Sequence, residues 1–413
     1  MKWLSQDIGT SAFNEANDIS MDSNTLIVDV RDLVDKAGND VKYINSKIDE
    51  ALNLLQQKKR IIVCCDYGMS RSNSIAIGVL VKWLDISFES AVEMAKKVVD
   101  ESGIKIEMLN TVYSALYGQD DHIGGNKSGI ENICITGANG FLGKNLVSKL
   151  NTKYKLSCPN SKEIDLIGNI VELDLLIKRK EIDCIIHLAN PKIFTNTSSI
   201  GDTLVMLKNV LDVCRTNKVK LIYLSGWEIY SGYRSTALLA DESLHANPKG
   251  TYGETKWLCE ILIRQYASNY GIDYKIVRSG PIYGAGAEKP KFIYNFIEKA
   301  RKGAKITTHK YLNGSPSMDL MYVDDLMSFL MKCVQSDYIG DINIGTGISV
   351  STLEVATIIC ELTGSESIID QTQINDYSSN IIMNNHFARN KFSWNPEITF
   401  QTGIKKILEN YEA

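Results

Sequence analysis

The chain has 413 residues, more than one ordinary hydrophobic core accommodates, so two domains are expected. With 44% hydrophobic and 23% charged residues and a net charge of −4, it reads as a soluble globular protein with no sign of nucleic acid or membrane partners. No run approaches the roughly 18 uninterrupted apolar residues of a membrane span.

The opening stretch, MKWLSQDIGTSAFNEAND, lacks the apolar core of a signal peptide. Nine cysteines are scattered without metal-ligand spacing, so no metal is expected. Free thiols in a reducing cytoplasm are the expectation. TLIVDV (25–30) and RIIVCC (60–65) read as buried strands, and VKYINSKIDEALNLLQ between them has apolar residues at helical spacing. IAIGVLVKWL (75–84) and FESAVEMAKKVV (88–99) read as further helices. Residues 1–118 thus form a small α/β domain. YGQDDHIGGNKSGI (117–130), with four glycines and no apolar period, places a linker at 119–130.

Strands and helices alternate again over 131–413. NICITG (132–137), DCIIHLA (183–189), LIYLSG (221–226) and YKIVRSG (274–280) read as strands. FLGKNLVSKL (141–150) and LVMLKNVLDVCRT (204–216) read as helices. Such alternation predicts a parallel sheet covered on both faces.

Cys65-Asp66-Tyr67-Gly68-Met69-Ser70-Arg71-Ser72 follows a strand and opens a helix. Successive backbone N–H groups at a helix start can wrap a phosphoryl group. Arg71 would bind two phosphate oxygens and Cys65, as thiolate, would attack phosphorus. Ser72 would help expel the sulfur. This C-x5-R segment resembles the dual-specificity (cysteine-based) phosphatases over about residues 20–118. Cys64 stands where that family usually has histidine, and a vicinal Cys64–Cys65 pair offers oxidation as a control. The resemblance asks for an upstream general acid. Asp32 and Asp35 lie 33 and 30 residues before Cys65 (65 − 32 and 65 − 35), and Asp32 is narrowly favoured.

Thr136-Gly137-Ala138-Asn139-Gly140-Phe141-Leu142-Gly143 also joins a strand to a helix. Glycines at 137, 140 and 143 allow a tight turn, close approach to a pyrophosphate and close helix–strand packing. Tyr252 and Lys256 stand at i and i+4, on one helix face, 115 residues after Gly137 (252 − 137). A nearby lysine favours a phenolate.

Together these motifs resemble the extended short-chain dehydrogenase/reductase (NAD-dependent epimerase/dehydratase) family over the whole of 131–413. The resemblance implies a Rossmann doubly wound parallel sheet with a C-terminal substrate-binding lobe. It implies NAD or NADP held by Gly137, Asn139, Gly140, Phe141, Leu142, Gly143, Asp165, Leu166, Leu188, Ala189, Tyr252, Lys256, Pro281 and Ile282. No acidic residue ends the second strand, so the two cofactors are not separated. His187, in the His187–Asn190 strand motif, reads as a packed strand histidine.

The family's third catalytic residue, a serine or threonine, falls on Gly226. Ser225, a water or Glu228 is left to do the hydroxyl's work. Glu228 stands where sugar dehydratases carry a glutamate. The expectation is a bifunctional enzyme of surface-polysaccharide sugar metabolism, acting on a nucleotide sugar and a phosphate monoester. A homodimer is expected from the family. The alternatives are a regulatory protein phosphatase with a cofactor-sensing Rossmann domain, and a binding protein with two degenerate sites.

Overall fold

A computed structural model of the chain describes residues 1–17, 24–35, 38–57, 59–99, 104–118, 129–168, 170–191, 198–287 and 291–412. They form two compact units, Met1–Gly125 with Ile164–Arg179, and Asn126–Glu163 with Lys180–Ala413. Residues 119–128 of the expected linker lie outside the described residues. The sequence reading put 164–179 with the second domain, whereas here the segment packs into the first unit. Val171 and Leu175 are buried in that unit's core. Glu172 pairs with Lys96, and Lys178 donates to Asn110.

The first unit holds β1 (Lys2–Trp3), β2 (Ile8–Ala12), α1 (Phe13–Asn17), β3 (Thr25–Asp29), α2 (Val41–Gln56), β4 (Arg60–Cys65), α3 (Arg71–Leu84), α4 (Phe88–Lys96) and α5 (Ile106–Tyr117). Its sheet runs β1-β2-β4-β3, with β1 antiparallel and the others parallel. The short β2, IGTSA, carried no strand signal that sequence reading found. Asp40 caps α2 by accepting from Lys42 N at 2.9 Å. Ile44, Ile48, Ala51 and Leu55 then bury one face at helical spacing. On β4, alternation sends Ile61, Val63 and Cys65 into the main core and Ile62 and Cys64 to the other face.

The second unit begins with β5 (Asn132–Thr136), α6 (Phe141–Leu150) and β6 (Lys155–Ser157). After α7 (Val171–Arg179), which belongs to the first unit, come β7 (Cys184–His187), α8 (Ser198–Asn217), β8 (Lys220–Gly226) and a 3-10 turn (Trp227–Tyr230). Then follow β9 (Leu238–Ala240), α9 (Thr251–Tyr270), β10 (Tyr274–Ser279), β11 (Ile282–Tyr283), α10 (Lys291–Arg301), β12 (Ile306–Lys310), β13 (Ser317–Met318), β14 (Met321–Tyr322) and α11 (Val323–Gln335). The chain closes with β15 (Gly340–Ile344), β16 (Val350–Ser351), α12 (Thr352–Thr363), β17 (Ile369–Gln373), β18 (Ile381–Met383), α13 (His386–Phe392) and α14 (Phe400–Glu412).

Six parallel strands form the main sheet in the order β15-β10-β8-β7-β5-β6. Strand order reverses at β5, so the crevice for a ligand opens at the carboxyl ends of β5 and β7. The remaining strands pair in twos (β11·β14, β12·β17, β13·β16, β9·β18) and build the lobe that the sequence assigned to substrate.

His187 ends β7 at 2% exposure, with its Nδ1 2.7 Å from Thr136 Oγ1. Burial, then the Lys256 charge, pulls its pKa down to about 3. The unfolded chain takes up a proton near the ordinary value of about 6.5, which the folded chain refuses. His187 therefore contributes stability fully above pH 6.5 and progressively less as pH falls towards 3. Unfolding of the second unit is expected to lose about 1.4 kcal/mol per pH unit from this residue between pH 6 and 4. A His187→Gln variant should show a shallower slope in denaturant titrations; equal slopes would refute the assignment.

Candidate active site

The strand-to-helix turn after β5 is set by contacts that admit only hydrogen. Gly137 adopts φ +76°, and a Cβ there would lie 2.7 Å from Ala189 N. A Cβ on Gly143 would overlap Gly137 O and lie 2.5 Å from Ala138 Cα. Gly140 caps α6 without a side-chain hydrogen bond, leaving the N–H groups of the first turn uncapped by a side chain at that position. Asn139 and Gly140 are exposed, and Phe141 and Leu142 line an adjoining cavity.

That cavity, about 750 Å³, also takes Leu188, Asn190, Ser225, Gly226, Glu228, Tyr252, Lys256, Pro281 and Ile282 into its wall. The structure thus brings the start of α6, the β8 end and the Tyr-Lys pair to one place. Ala189 sits beside it, its N–H 3.4 Å from Thr136 Oγ1. Asp165 and Leu166 do not line the cavity. Asp165 accepts from Ile167 N at 3.0 Å, and Leu166 is buried. Sequence reading missed Lys144 and Asn145, the next turn of α6, and Ser279, Gly280 and Ala285–Ala287 on the opposite wall. For Lys144 and Asn145 the signal was available, because they continue the helix that the glycine motif opens.

Lys256 is 4% exposed and its Nζ donates to Leu224 O at 2.9 Å and Tyr223 OH at 3.3 Å. It lies 5.6 Å from the centre of the Tyr252 ring. Burial lowers the Lys256 pKa and raises that of Tyr252, the latter helped by the Glu228 charge. Burial likewise pushes Glu228 up to about 7.

Ser225 does not offer its hydroxyl freely. Its Oγ donates to Glu260 at 2.6 Å. Glu260, fully buried, also accepts from Arg278 Nη2 at 2.7 Å and Arg264 Nη2 at 3.1 Å. Both arginines reach Asp341 on β15. This network was not legible from motif spacing.

In the first unit, β4 and α3 present the 65–72 loop. Burial alone would raise the Cys65 thiol, but the Ser72 hydroxyl and the N–H groups of Ser72, Met69 and Tyr67 bring it below its ordinary value. Ser72 Oγ is 3.4 Å from the sulfur. Ser70 Oγ accepts from Lys105 N at 3.0 Å and holds the loop's far end. Tyr67 is 80% exposed and Met69 and Gly68 are also near the surface.

Arg71, 8% exposed, donates from Nη1 to Arg31 O at 2.9 Å and Leu33 O at 3.0 Å, and from Nη2 to Asp66. Its Nε is buried with no protein partner. A fixed guanidinium with an unmet N–H beside a lowered thiol suits an oxyanion.

Asp32 accepts from Tyr43 OH and lies 3.7 Å from Lys47 Nζ. Asp35 lies 3.0 Å from Lys105 Nζ and interacts with the Arg71 charge. Cys64 faces away from the loop, and burial drives its thiol up to about 12. The vicinal pair suggested by sequence is therefore split across the sheet. Among the described residues, no group of three or more His, Cys, Asp or Glu could hold a metal, and no helix is long and apolar enough to cross a membrane.

The chain is 28% identical over 275 residues to dTDP-D-glucose 4,6-dehydratase of Dictyostelium discoideum, covering 56% of this chain and 62% of that protein. It is 26% identical over 317 residues to a trifunctional UDP-glucose 4,6-dehydratase/UDP-4-keto-6-deoxy-D-glucose 3,5-epimerase/UDP-4-keto-L-rhamnose-reductase of Arabidopsis thaliana, covering 68% and 47%. The chain thus spans about half to 62% of the length of these curated relatives. The fold matches that of Thermus thermophilus UDP-glucose 4-epimerase, solved in complex with NAD, at a TM-score of 0.60 and 20% identity, covering 68% of this chain and 99% of that one. Residues 133–345 match the model of the NAD dependent epimerase/dehydratase family, and the chain belongs to that family.

Proposed function

We propose that the second unit binds NAD(H) and oxidises or reduces a carbinol carbon of a nucleotide sugar. The carrying observation is that Tyr252 and Lys256 share one cavity with Phe141 and Leu142, the residues that follow the glycine turn into α6. The turn suits the cofactor: side chains at 137 and 143 would collide with the backbone of Ala189 and Ala138, so glycine alone permits the close strand–helix turn, and the first turn of α6 has no side-chain cap competing for its N–H groups. The 137–143 turn, Leu188, Ala189, Pro281, Ile282 and Lys256 would hold it, while Asp165 and Leu166 have less support. When bound, NAD(H) supplies or accepts hydride. Tyr252 carries the proton at its Oη, kept there by burial, and exchanges it with the substrate oxygen. Lys256 stabilises the phenolate that results. Relatives named for UDP- and dTDP-sugars support a nucleotide-sugar substrate.

Mixing enzyme with NAD+ or NADH and UDP- or dTDP-glucose is expected to change absorbance at 340 nm or convert the sugar. Tyr252→Phe should cut kcat about 100-fold or more. Cofactor binding without turnover of any sugar nucleotide would sink this reading and favour a sensor.

The first unit, on this proposal, hydrolyses a phosphate monoester. Cys65 attacks phosphorus, the P–O bond to the leaving group breaks, and a carboxylic acid protonates the departing oxygen. Ser72 then helps release the sulfur as water cleaves the S–P bond. The 66–72 loop and Arg71 grip the phosphoryl oxygens, with the buried Arg71 Nε as the chief support. Asp32, beside Tyr43 and Lys47, and Asp35, beside Lys105 and within the field of Arg71, are the two candidate acids. Cys65→Ser is expected to abolish p-nitrophenyl phosphate turnover. In the wild type the rising limb of kcat/KM with pH should lie below an ordinary thiol's, since deprotonation activates it. With a poorer leaving group, whichever of Asp32→Asn and Asp35→Asn removes the acid should cost about 100-fold in kcat and the other less than tenfold. Hydrolysis that survives Cys65→Ser would exclude this chemistry.

A homodimer through α8 and α9 is the assembly we favour. Val205, Leu258 and Ile261 expose apolar surface on these two helices. Sedimentation should show a dimer that Leu258→Glu with Ile261→Glu converts to a monomer; a wild-type monomer would rule it out.

A further inference from the structure

Position 226 ends β8 on the cavity wall and has no side chain, while its neighbour Ser225 gives its hydroxyl to Glu260. The space left at 226 is filled from elsewhere. A Cβ built on Gly226 would overlap Glu228 Oε2 and lie 3.4 Å from Glu228 Cδ. The 3-10 turn at Trp227–Tyr230 folds Glu228 back over the strand end. Gly253 leaves room for this turn against α9, because a Cβ there would lie 2.5 Å from Glu228 O. Glu228, Tyr252 and Lys256 then share the cavity.

We infer that the Glu228 carboxyl group stands in for the absent side-chain hydroxyl at 226 and donates a hydrogen bond to the substrate oxygen that Tyr252 protonates or deprotonates. This rests on the nucleotide-sugar reading above. A hydroxyl donates at any ordinary pH, but a carboxyl donates only as the acid. Burial holds Glu228 at about 7, against the opposing pull of its own backbone N–H and of the Lys256 charge. Tyr252 and Lys256 are the titratable groups that face it from α9, and Ser279 contributes a backbone oxygen 3.8 Å from the same point. Near neutrality a substantial fraction is therefore the acid. Glu228 keeps its proton through the reaction; the proton exchanged with substrate is that of Tyr252. Activity should accordingly fall as pH rises through about 7, a dependence that a serine would not impose.

Four proteins test this: wild type, Glu228→Ala, Gly226→Ser and the double variant, assayed with UDP- and dTDP-glucose. Glu228→Ala should lose about 100-fold in kcat, the scale of one lost oxyanion-type donor. Gly226→Ser alone should also lose activity and lower the thermal midpoint, because two groups compete for one space. The double variant should recover to within about tenfold of wild type, recover its midpoint, and lose the fall above pH 7. Glu228→Gln, whose amide still donates, should retain activity without that pH limb. Full kcat in Glu228→Ala overturns the inference. So does a double variant no better than Glu228→Ala, or a midpoint loss from Gly226→Ser that is equal in both backgrounds. A wild type inert towards every sugar nucleotide overturns the underlying reading, and this inference with it.

Discussion

Glu260 is a carboxylate with no solvent contact, and the second unit is organised around satisfying it. It sits on α9 and accepts from Ser225 on β8, Arg278 on β10 and Arg264 one turn along its own helix. Asp341 on β15 takes the other side of both arginines. Breaking such a buried pair by removing one partner typically costs about 3–5 kcal/mol, since the remaining charge is stranded. The network therefore sets α9 against three strands in one register. Tyr252 and Lys256, on the first turns of that helix, inherit their position from it.

The same network explains how a hydroxyl on the site's wall can be engaged elsewhere. Side chains along a strand alternate, so although Ser225 and Gly226 both line the cavity they leave the strand on opposite faces. Ser225 is spent on Glu260, and the residue with the right direction is a glycine. Shape complementarity then passes to the turn that follows, where Glu228 closes over Gly226. Charge and packing are coupled here: the enclosure that brings the carboxyl group to the cavity also raises its affinity for a proton.

Alternation has an equal and separate consequence in the first unit. Cys64 and Cys65 are neighbours in the chain, yet one packs against Ala16 and Ile62 while the other enters the loop with Ser72. One thiol is raised by apolar burial; the other is lowered by directed N–H and O–H donors. Two residues of one type, one bond apart, acquire opposite acidities from the faces they occupy.

Local order was legible in the sequence. Apolar period located β4, α2 and β5, and the glycine spacing located the turn that only hydrogen atoms fit, because such signals act over a few residues. The Tyr-Lys pair was legible for the same reason, since helical geometry fixes i and i+4. The sequence alone thus determined the family, the glycine turn and the placing of Tyr252 and Lys256 one helical turn apart. Only the tertiary structure decided that Ser225 belongs to Glu260, that Glu228 fills the place of a side chain at 226, that Cys64 and Cys65 part company, and that 164–179 packs with the first unit. Each of these depends on residues far apart in the chain competing for one space or one charge, and no local pattern encodes the outcome of that competition.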